Sequence, residues 1–331
     1  MIENFQDYAK SVKPALDEAF TGQLARLLGD GETLRSPGGP DLLGGGKKIR
    51  GSLLCLVTEA LGGTVDDALP RAVAVELIHT ATLIHDDYVD QHRSRRDLAA
   101  TWTLEGSRKA VLLGDVVFAS AIQMMSEMGR EDGLTVSRAI ADVARGAYRE
   151  PLSPASLLEE IEKGGVDPAL YEKIIYLKTG VLFAAACQLG AVAAGVDGDI
   201  RGIWRSYGRK IGEAYQIADD LHEFERCLGS HSISLDDITA LAPALLCFVG
   251  KSGPAVIEAL RRGAAVSAGE LLDQFHTAVE AMRADLENRL LSAIEGLKRD
   301  CRNTDFYRLA CRTPRDLIRM FDDTATRASA P

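Results

Sequence analysis

The chain has 331 residues, 46% hydrophobic and 26% charged, with a formal net charge of −10. That length buries one large core or two ordinary ones. The acidic balance excludes the concentrated basic surface on which nucleic-acid binding rests, so cations for an anionic ligand have to be gathered locally.

In chain order, the polar start MIENFQDYAK predicts no secretory leader. Residues 2–29 carry apolar positions at helical spacing and end at Gly29-Asp30-Gly31, a glycine stop. RSPGGPDLLGGG, residues 35–46, reads as a loop. Next, GGKKIRGSLLCLVTEALGG opens an apolar helix with Lys47, Lys48 and Arg50 at its start, the end that favours anions. It is not a Walker A loop, because position 41 is Asp41 and Lys48 follows Lys47. After Gly62-Gly63, residues 66–91 predict a helix, and Arg93 to Ala100 a loop. Residues 106–128 predict a long apolar helix in which Asp115 caps or pairs with a basic side chain. Helices over 132–150 and 154–162 flank Pro151 and Pro154, and Asp167 N-caps a helix that starts at Pro168. Within that helix Lys178 and Thr179 interrupt an apolar face; the lysine either snorkels to solvent or points at a buried anion. A helix over 200–226, a loop over 227–236 and further helices to about 325 complete the chain, with fraying after Asp323. The run Val181 to Val196 is too short to span a bilayer and reads as a core helix. Cysteines 55, 187, 227, 247, 301 and 311 form no CxxC pair and read as reduced thiols of a cytoplasmic protein. The expectation is an all-α chain forming one domain over 1–331.

Two stretches carry the chemistry. In ELIHTATLIHDDYVDQHRSRR, Glu76 to Arg96, Asp86 and Asp90 lie four apart and share a helix face, with His79 two turns earlier. Stacked carboxylates repel unless a cation joins them, and hard oxygen ligands with room for phosphate suit Mg²⁺. Arg95 and Arg96 add planar donors matched to phosphate. In GRKIGEAYQIADDLHEF, Gly208 to Phe224, the residues Gln216, Asp219, Asp220 and Glu223 repeat the helical spacing. Two such faces opposed across a cavity would hold a cluster of metal ions around one diphosphate.

These motifs resemble the trans-type isoprenyl diphosphate synthases, or polyprenyl synthetases, over roughly residues 40–225. GGKKIR, ELIHTATLIHDDYVD, the arginine pair, YLKTG and GEAYQIADD occur in the family's order. The resemblance implies the isoprenoid synthase fold: a helical barrel around a deep apolar cavity, usually a homodimer with no membrane span. It implies that Asp86, Asp90 and Asp219 bind two or three Mg²⁺ ions, and that Arg95, Lys178 and Asp220 hold an allylic diphosphate. Lys47, Arg50, His79 and Arg96 are implied to hold isopentenyl diphosphate, with Thr179 and Gln216 near the reacting carbons. The implied reaction is a Mg²⁺-dependent condensation of the two.

The chain departs from the family pattern at several positions. Asp97 stands where the family has Gly, and Gly51 where it has Pro. Glu223 replaces an aspartate but remains an oxygen ligand. CLGSHSISLDDITALAP lacks the lysines that usually follow. A terpene cyclase or unusual prenyl-coupling enzyme on the same scaffold, a non-catalytic subunit of a heteromeric synthase, and a His-Asp phosphohydrolase therefore stand as alternatives. Ala81 and Thr82, five and four residues before Asp86, lie roughly 6–7.5 Å along the helix from it. The resemblance makes them the chain-length positions. Both are small, which implies a product of twenty carbons or more, with Leu83, Phe118, Met124 and Met125 as candidates for the floor.

Overall fold

The structure, a computed structural model, describes residues 2–28, 43–95, 98–149, 153–162, 168–249, 254–297 and 304–328. Helices come in the order α1 (Phe5–Leu28), α2 (Ile49–Ala60), α3 (Val65–Val89), α4 (Thr101–Glu105), α5 (Ser107–Met128), α6 (Arg130–Arg149) and α7 (Pro154–Glu162). They continue as α8 (Pro168–Ile175), a π-helical turn (Tyr176–Gly180), α9 (Val181–Ala193), α10 (Gly198–Leu228), α11 (Leu235–Val249), α12 (Pro254–Arg262), α13 (Ala268–Leu297) and α14 (Asp305–Ala328). Two short antiparallel ribbons are the only strands among the described residues: β1 (Ser94–Arg95) with β2 (Leu98–Ala99), and β3 (Ser232–Ile233) with β4 (Val266–Ser267).

The chain forms two compact units. One comprises Met1–Ala141, Leu182–Gly208 and Leu297–Asp316; the other comprises Asp142–Val181, Arg209–Gly296 and Leu317–Pro331. Every boundary falls within or at the end of a helix, not in a Pro/Gly-rich linker, so composition carries no trace of the division.

In the first unit α3 is the central element, packed most extensively on α5 and then on α2 and α1. Its start is fixed by a capping box: Thr64 Oγ1 accepts from the Asp67 N–H while Asp67 accepts from the Thr64 N–H. Gly62, at φ +94°, takes the left-handed conformation that ends α2, as the double glycine predicts. Close approach of α3 to α5 requires Gly114, since a Cβ there would sit 2.2 Å from the His85 ring. Asp115 does pair with a basic residue, lying 3.6 Å from His85 Nε2.

The second unit closes over a separate core of Ile217, Leu221 and Phe224 from α10, Leu241 and Leu245 from α11, and Phe275 and Met282 from α13. The Phe224 and Phe275 rings meet edge to face with centroids 4.9 Å apart. Three local features differ from the periodicity. The stretches 93–100 and 227–236 contain paired strands, because two-residue ribbons are too short to show alternation. The helix carrying Lys178 is broken by the π-turn. Helix α14 runs to Ala328, past Asp323, where fraying was expected. Pro168 opens α8 as predicted; Pro151, Asp167 and Cys301 lie outside the described residues.

Candidate active site

The last turn of α3 presents three aspartates in different directions. At about 100° per residue, Asp90 lies about 40° round the helix from Asp86, and Asp87 about 60° further round. Asp86 is half-buried, Asp87 buried and Asp90 exposed. The Asp90 N–H donates to the Asp86 carbonyl at 2.8 Å, so the helical turn that pairs them continues through Asp90.

Asp87 belongs to a second stripe. Glu76, His79, Thr80, Leu83, Ile84 and Asp87 follow i, i+3, i+4, i+7, i+8, i+11 spacing and line one side of an open hollow of about 670 Å³. Lys48, Arg95 and Thr101 line its other sides. Its two acids are both engaged. Asp87 Oδ1 accepts from Arg95 Nε at 2.8 Å and lies 2.6 Å from Nη2, and Glu76 Oε1 accepts the Gly51 N–H at 2.7 Å. The Gly51 contact accounts for the missing proline: a proline has no N–H to give Glu76, and any Cβ at Gly51 would meet Leu16 at 2.7 Å.

The expected site residues divide as follows. His79 and Arg95, assigned from the resemblance to different substrates, line the same hollow. Lys47 is exposed, and Lys48 is the lysine in the lining. Lys48 is buried in a left-handed conformation at φ 49°, uncommon for a residue with a Cβ, with Nζ 3.3 Å from the centre of the Phe20 ring. Arg50 is half-buried with its guanidinium 4.8 Å above the Phe183 ring. Ala81 is fully buried; Thr82 is half-buried and donates to the His79 carbonyl at 2.7 Å. Arg96 and Asp97 lie outside the described residues. Sequence reasoning passed over Asp87 and Glu76, and named Lys48 at the anion-favouring helix start without giving it a substrate. The helical phase of the first two, counted from His79, carried the missing signal.

The second acidic region, in the other unit, is a hydrogen-bonded relay. Buried Thr179 donates from Oγ1 to Gln216 Oε1 at 2.6 Å. Gln216 Nε2 donates to Asp219 at 3.2 Å and to Asp220 at 3.0 Å, and the Tyr171 hydroxyl donates to Asp220 at 2.7 Å. Burial pushes the Asp220 carboxyl up to about 6, against the opposing pull of the Tyr171 and Gln216 hydrogen bonds. Asp219 is also raised, chiefly by desolvation and against nearby Lys178; its exposed side chain lets solvent screen that effect. Lys178 is exposed.

The π-turn that sets Thr179 and Lys178 is braced from α10. Arg209 lies 4.6 Å over the Tyr176 ring and 2.6 Å from Glu213, and Gly180 leaves room for the Glu213 side chain. Glu213, only 3% exposed, also takes Arg289 Nη1 at 2.6 Å, while Arg289 reaches Asp285 and Glu172 as well.

Glu223 stands differently from a waiting metal ligand. Arg226 lies on it at 2.7 Å and reaches Asp237 at 2.5 Å. Asp237 is itself held by Ser234, which caps α11. The lysine-poor segment thus follows directly on an arginine already paired.

The donor chemistry fits Mg²⁺ in the first region: two carboxylates one turn apart, one of them exposed, supply hard oxygens and leave positions for water and phosphate. No group of three or more metal-ligating side chains is assembled among the described residues.

A family model described as Polyprenyl synthetase matches residues 36–239. The short chain isoprenyl diphosphate synthase of Methanothermobacter thermautotrophicus is 40% identical over 176 residues, 53% of this chain and 54% of that protein. The octaprenyl diphosphate synthase of Escherichia coli is 33% identical over 202 residues, 61% of this chain and 60% of that protein. These alignments span little more than half the length of the curated relatives. A crystal structure of polyprenyl synthase from Caulobacter crescentus, complexed with calcium and isoprenyl diphosphate, matches with a TM-score of 0.68 at 26% identity, over 96% of this chain and 97% of that one. A family match over more than half of the sequence, joined to a fold shared almost end to end, means that the chain belongs to the polyprenyl synthetase family.

Proposed function

We propose that the protein is a Mg²⁺-dependent trans-prenyltransferase that joins an allylic diphosphate to isopentenyl diphosphate. One observation carries the reading: α3 places a carboxylate pair open to cations and a cation-bearing hollow on adjoining faces of its last three turns. Asp86 and Asp90 hold Mg²⁺, and Asp219, with Glu223 once Arg226 yields it, holds a further ion. When bound, the metal supplies charge neutralisation of the leaving diphosphate. The rest falls to side chains. Lys47, Arg50, His79 and Arg96 fix the diphosphate of isopentenyl diphosphate. Arg95, Lys178 and Asp220 are assigned to that of the allylic partner. Thr179, oriented by its bond to Gln216, lies against the reacting carbons, and both side chains keep water from that position.

We assign a product of twenty carbons or more, because Thr82, one turn before Asp86 on its face, is small. We also assign a homodimer formed through α5, whose Val111, Leu112 and Val116 are exposed. By length and composition alone, Ser107–Met128 and Leu170–Ala193 could cross a membrane. Asp115, 60% exposed in the middle of α5, opposes that use, since a carboxylate at a bilayer centre costs about 2.5–3.5 kcal/mol. The direct test is incubation with Mg²⁺, labelled isopentenyl diphosphate and allylic diphosphates of several lengths. Label that becomes extractable only after phosphatase treatment supports the synthase. An allylic diphosphate consumed to a product extractable before phosphatase, found by mass because a cyclase leaves the labelled isopentenyl diphosphate untouched, indicates a cyclase or coupling enzyme, and no turnover of either substrate indicates a non-catalytic subunit.

A further inference from the structure

We propose that Asp87 is a positioning residue that holds the Arg95 guanidinium in the orientation that receives a diphosphate, and that it takes no part in metal binding. This rests on the reading above that Arg95 contacts a diphosphate.

Asp87 lies about 100° round the helix from Asp86, lines the hollow, and has its carboxylate turned to Arg95. Its side chain is 7% exposed and lies against Arg95, which is 33% exposed. Arg95 Nε and Nη2 both converge on Asp87 Oδ1, at 2.8 and 2.6 Å. A guanidinium carries five N–H groups in a fixed plane, so holding one edge aims the other, with Nη1, at a ligand. Arg95 needs such a hold. Its backbone sits in a ribbon of two residue pairs, Ser94 with Ala99 and Arg95 with Leu98, too short to be rigid alone. An arginine on such a ribbon samples many rotamers, and ordering it in advance removes that entropy from the binding step.

The arrangement carries an electrostatic penalty, which makes the inference testable by sign. Asp87 cancels the charge of Arg95. If it were only a counter-ion, its removal would make the hollow more positive and tighten anion binding. If it positions Arg95, its removal weakens binding despite the extra positive charge.

The experiment measures binding of inorganic diphosphate by calorimetry, with and without Mg²⁺, together with steady-state kinetics, on Asp87→Asn, Asp87→Glu, Arg95→Ala and the Asp87→Asn/Arg95→Ala double variant. Asp87→Asn is expected to weaken diphosphate binding and raise the allylic KM about tenfold, in the range of one charge-assisted contact. The Mg²⁺ concentration for half-activity stays within about twofold, and Asp87→Glu recovers part of the loss. The double variant is no weaker than Arg95→Ala alone, because the two act as one unit. Tighter or unchanged diphosphate binding in Asp87→Asn, with Arg95→Ala impaired, overturns the positioning role. A changed Mg²⁺ requirement overturns its separation from the metal. If Arg95→Ala itself leaves diphosphate binding unchanged, the assignment of Arg95 falls first and the inference with it. Should Asp87→Asn fold poorly, Arg95→Lys keeps the charge and loses the fork; undiminished affinity there counts equally against the proposal.

Discussion

At the scale of single residues, the buried acids govern what can be substituted. Asp220 in the folded, metal-free protein binds its proton more tightly than an ordinary carboxylate, with a pKa of about 6. A raised carboxyl contributes stability below the unfolded-state value that is lost as pH climbs through the folded-state value. We therefore expect stability to fall between about pH 4 and 6, by at most about 3 kcal/mol for a shift of about two units. Asp220→Asn should flatten that window in urea titrations; a slope identical to wild type would show that Asp220 does not titrate there. Gly51→Pro should destabilise by about 2–5 kcal/mol, through a lost buried hydrogen bond and an overpacked contact with Leu16. A chemical midpoint within error of wild type would contradict it. The sequence exposed Gly51 as a departure but hid its reason, because Glu76 is 25 positions away. The metal-type carboxylates were legible because they stand four apart on one helix. Asp87 was not, because its partner, Arg95, comes from a ribbon with no periodic signal.

At the scale of elements, α3 serves two surfaces from one helix end, and its phase decides which residues serve which. Thr82 stands one turn before Asp86 on the same face and is half-buried; Ala81 is wholly buried among packed neighbours. Thr82→Phe should therefore shorten the main product by at least one five-carbon unit with activity retained. Ala81→Phe should mainly destabilise, by about 1–3 kcal/mol. Chromatography of dephosphorylated products decides, and an unchanged length distribution in Thr82→Phe removes it from the chain path. On α10 the relevant contact is Arg226 on Glu223. Exposed ion pairs contribute about 0.2–1 kcal/mol, so Arg226→Gln should release Glu223 and tighten Mn²⁺ binding about two- to fivefold. Electron spin resonance of bound Mn²⁺ in the presence of inorganic diphosphate measures this. Weaker binding would instead make Arg226 a ligand for the diphosphate. Both helices were legible from apolar spacing. The π-turn was not, since one inserted residue leaves an apolar run looking continuous and its bracing by Arg209 and Glu213 arrives from distant sequence.

At the scale of the whole molecule, the exposed apolar face of α5 predicts assembly. Leu112, 52% exposed, and Val116, 40% exposed, lie one turn apart. Leu112→Glu with Val116→Glu should convert a dimer to a monomer in sedimentation equilibrium with little change in helical content. A wild-type protein that sediments as a monomer would remove that interface. The all-α class was legible along the chain and the family over roughly residues 40–225, because helical period and motif order survive without contacts. The division into two units was not, because it runs through helices.

That division bears on how the chain is made. Helix α1 is made long before its partners: the Phe5 N–H is satisfied by the carboxylate of Asp316 at 3.0 Å, and the Tyr207 hydroxyl waits for the carbonyl of Ala310 at 2.6 Å. At about 5–20 residues per second, roughly 15–60 s pass between synthesis of the first partner and of the last. The first unit therefore cannot close until residues 297–316 have left the ribosome, and its apolar helices remain uncovered until then. Nascent chains stalled before residue 316 are then natural clients for chaperones, and a ribosome that aborts there leaves an unfinished first unit.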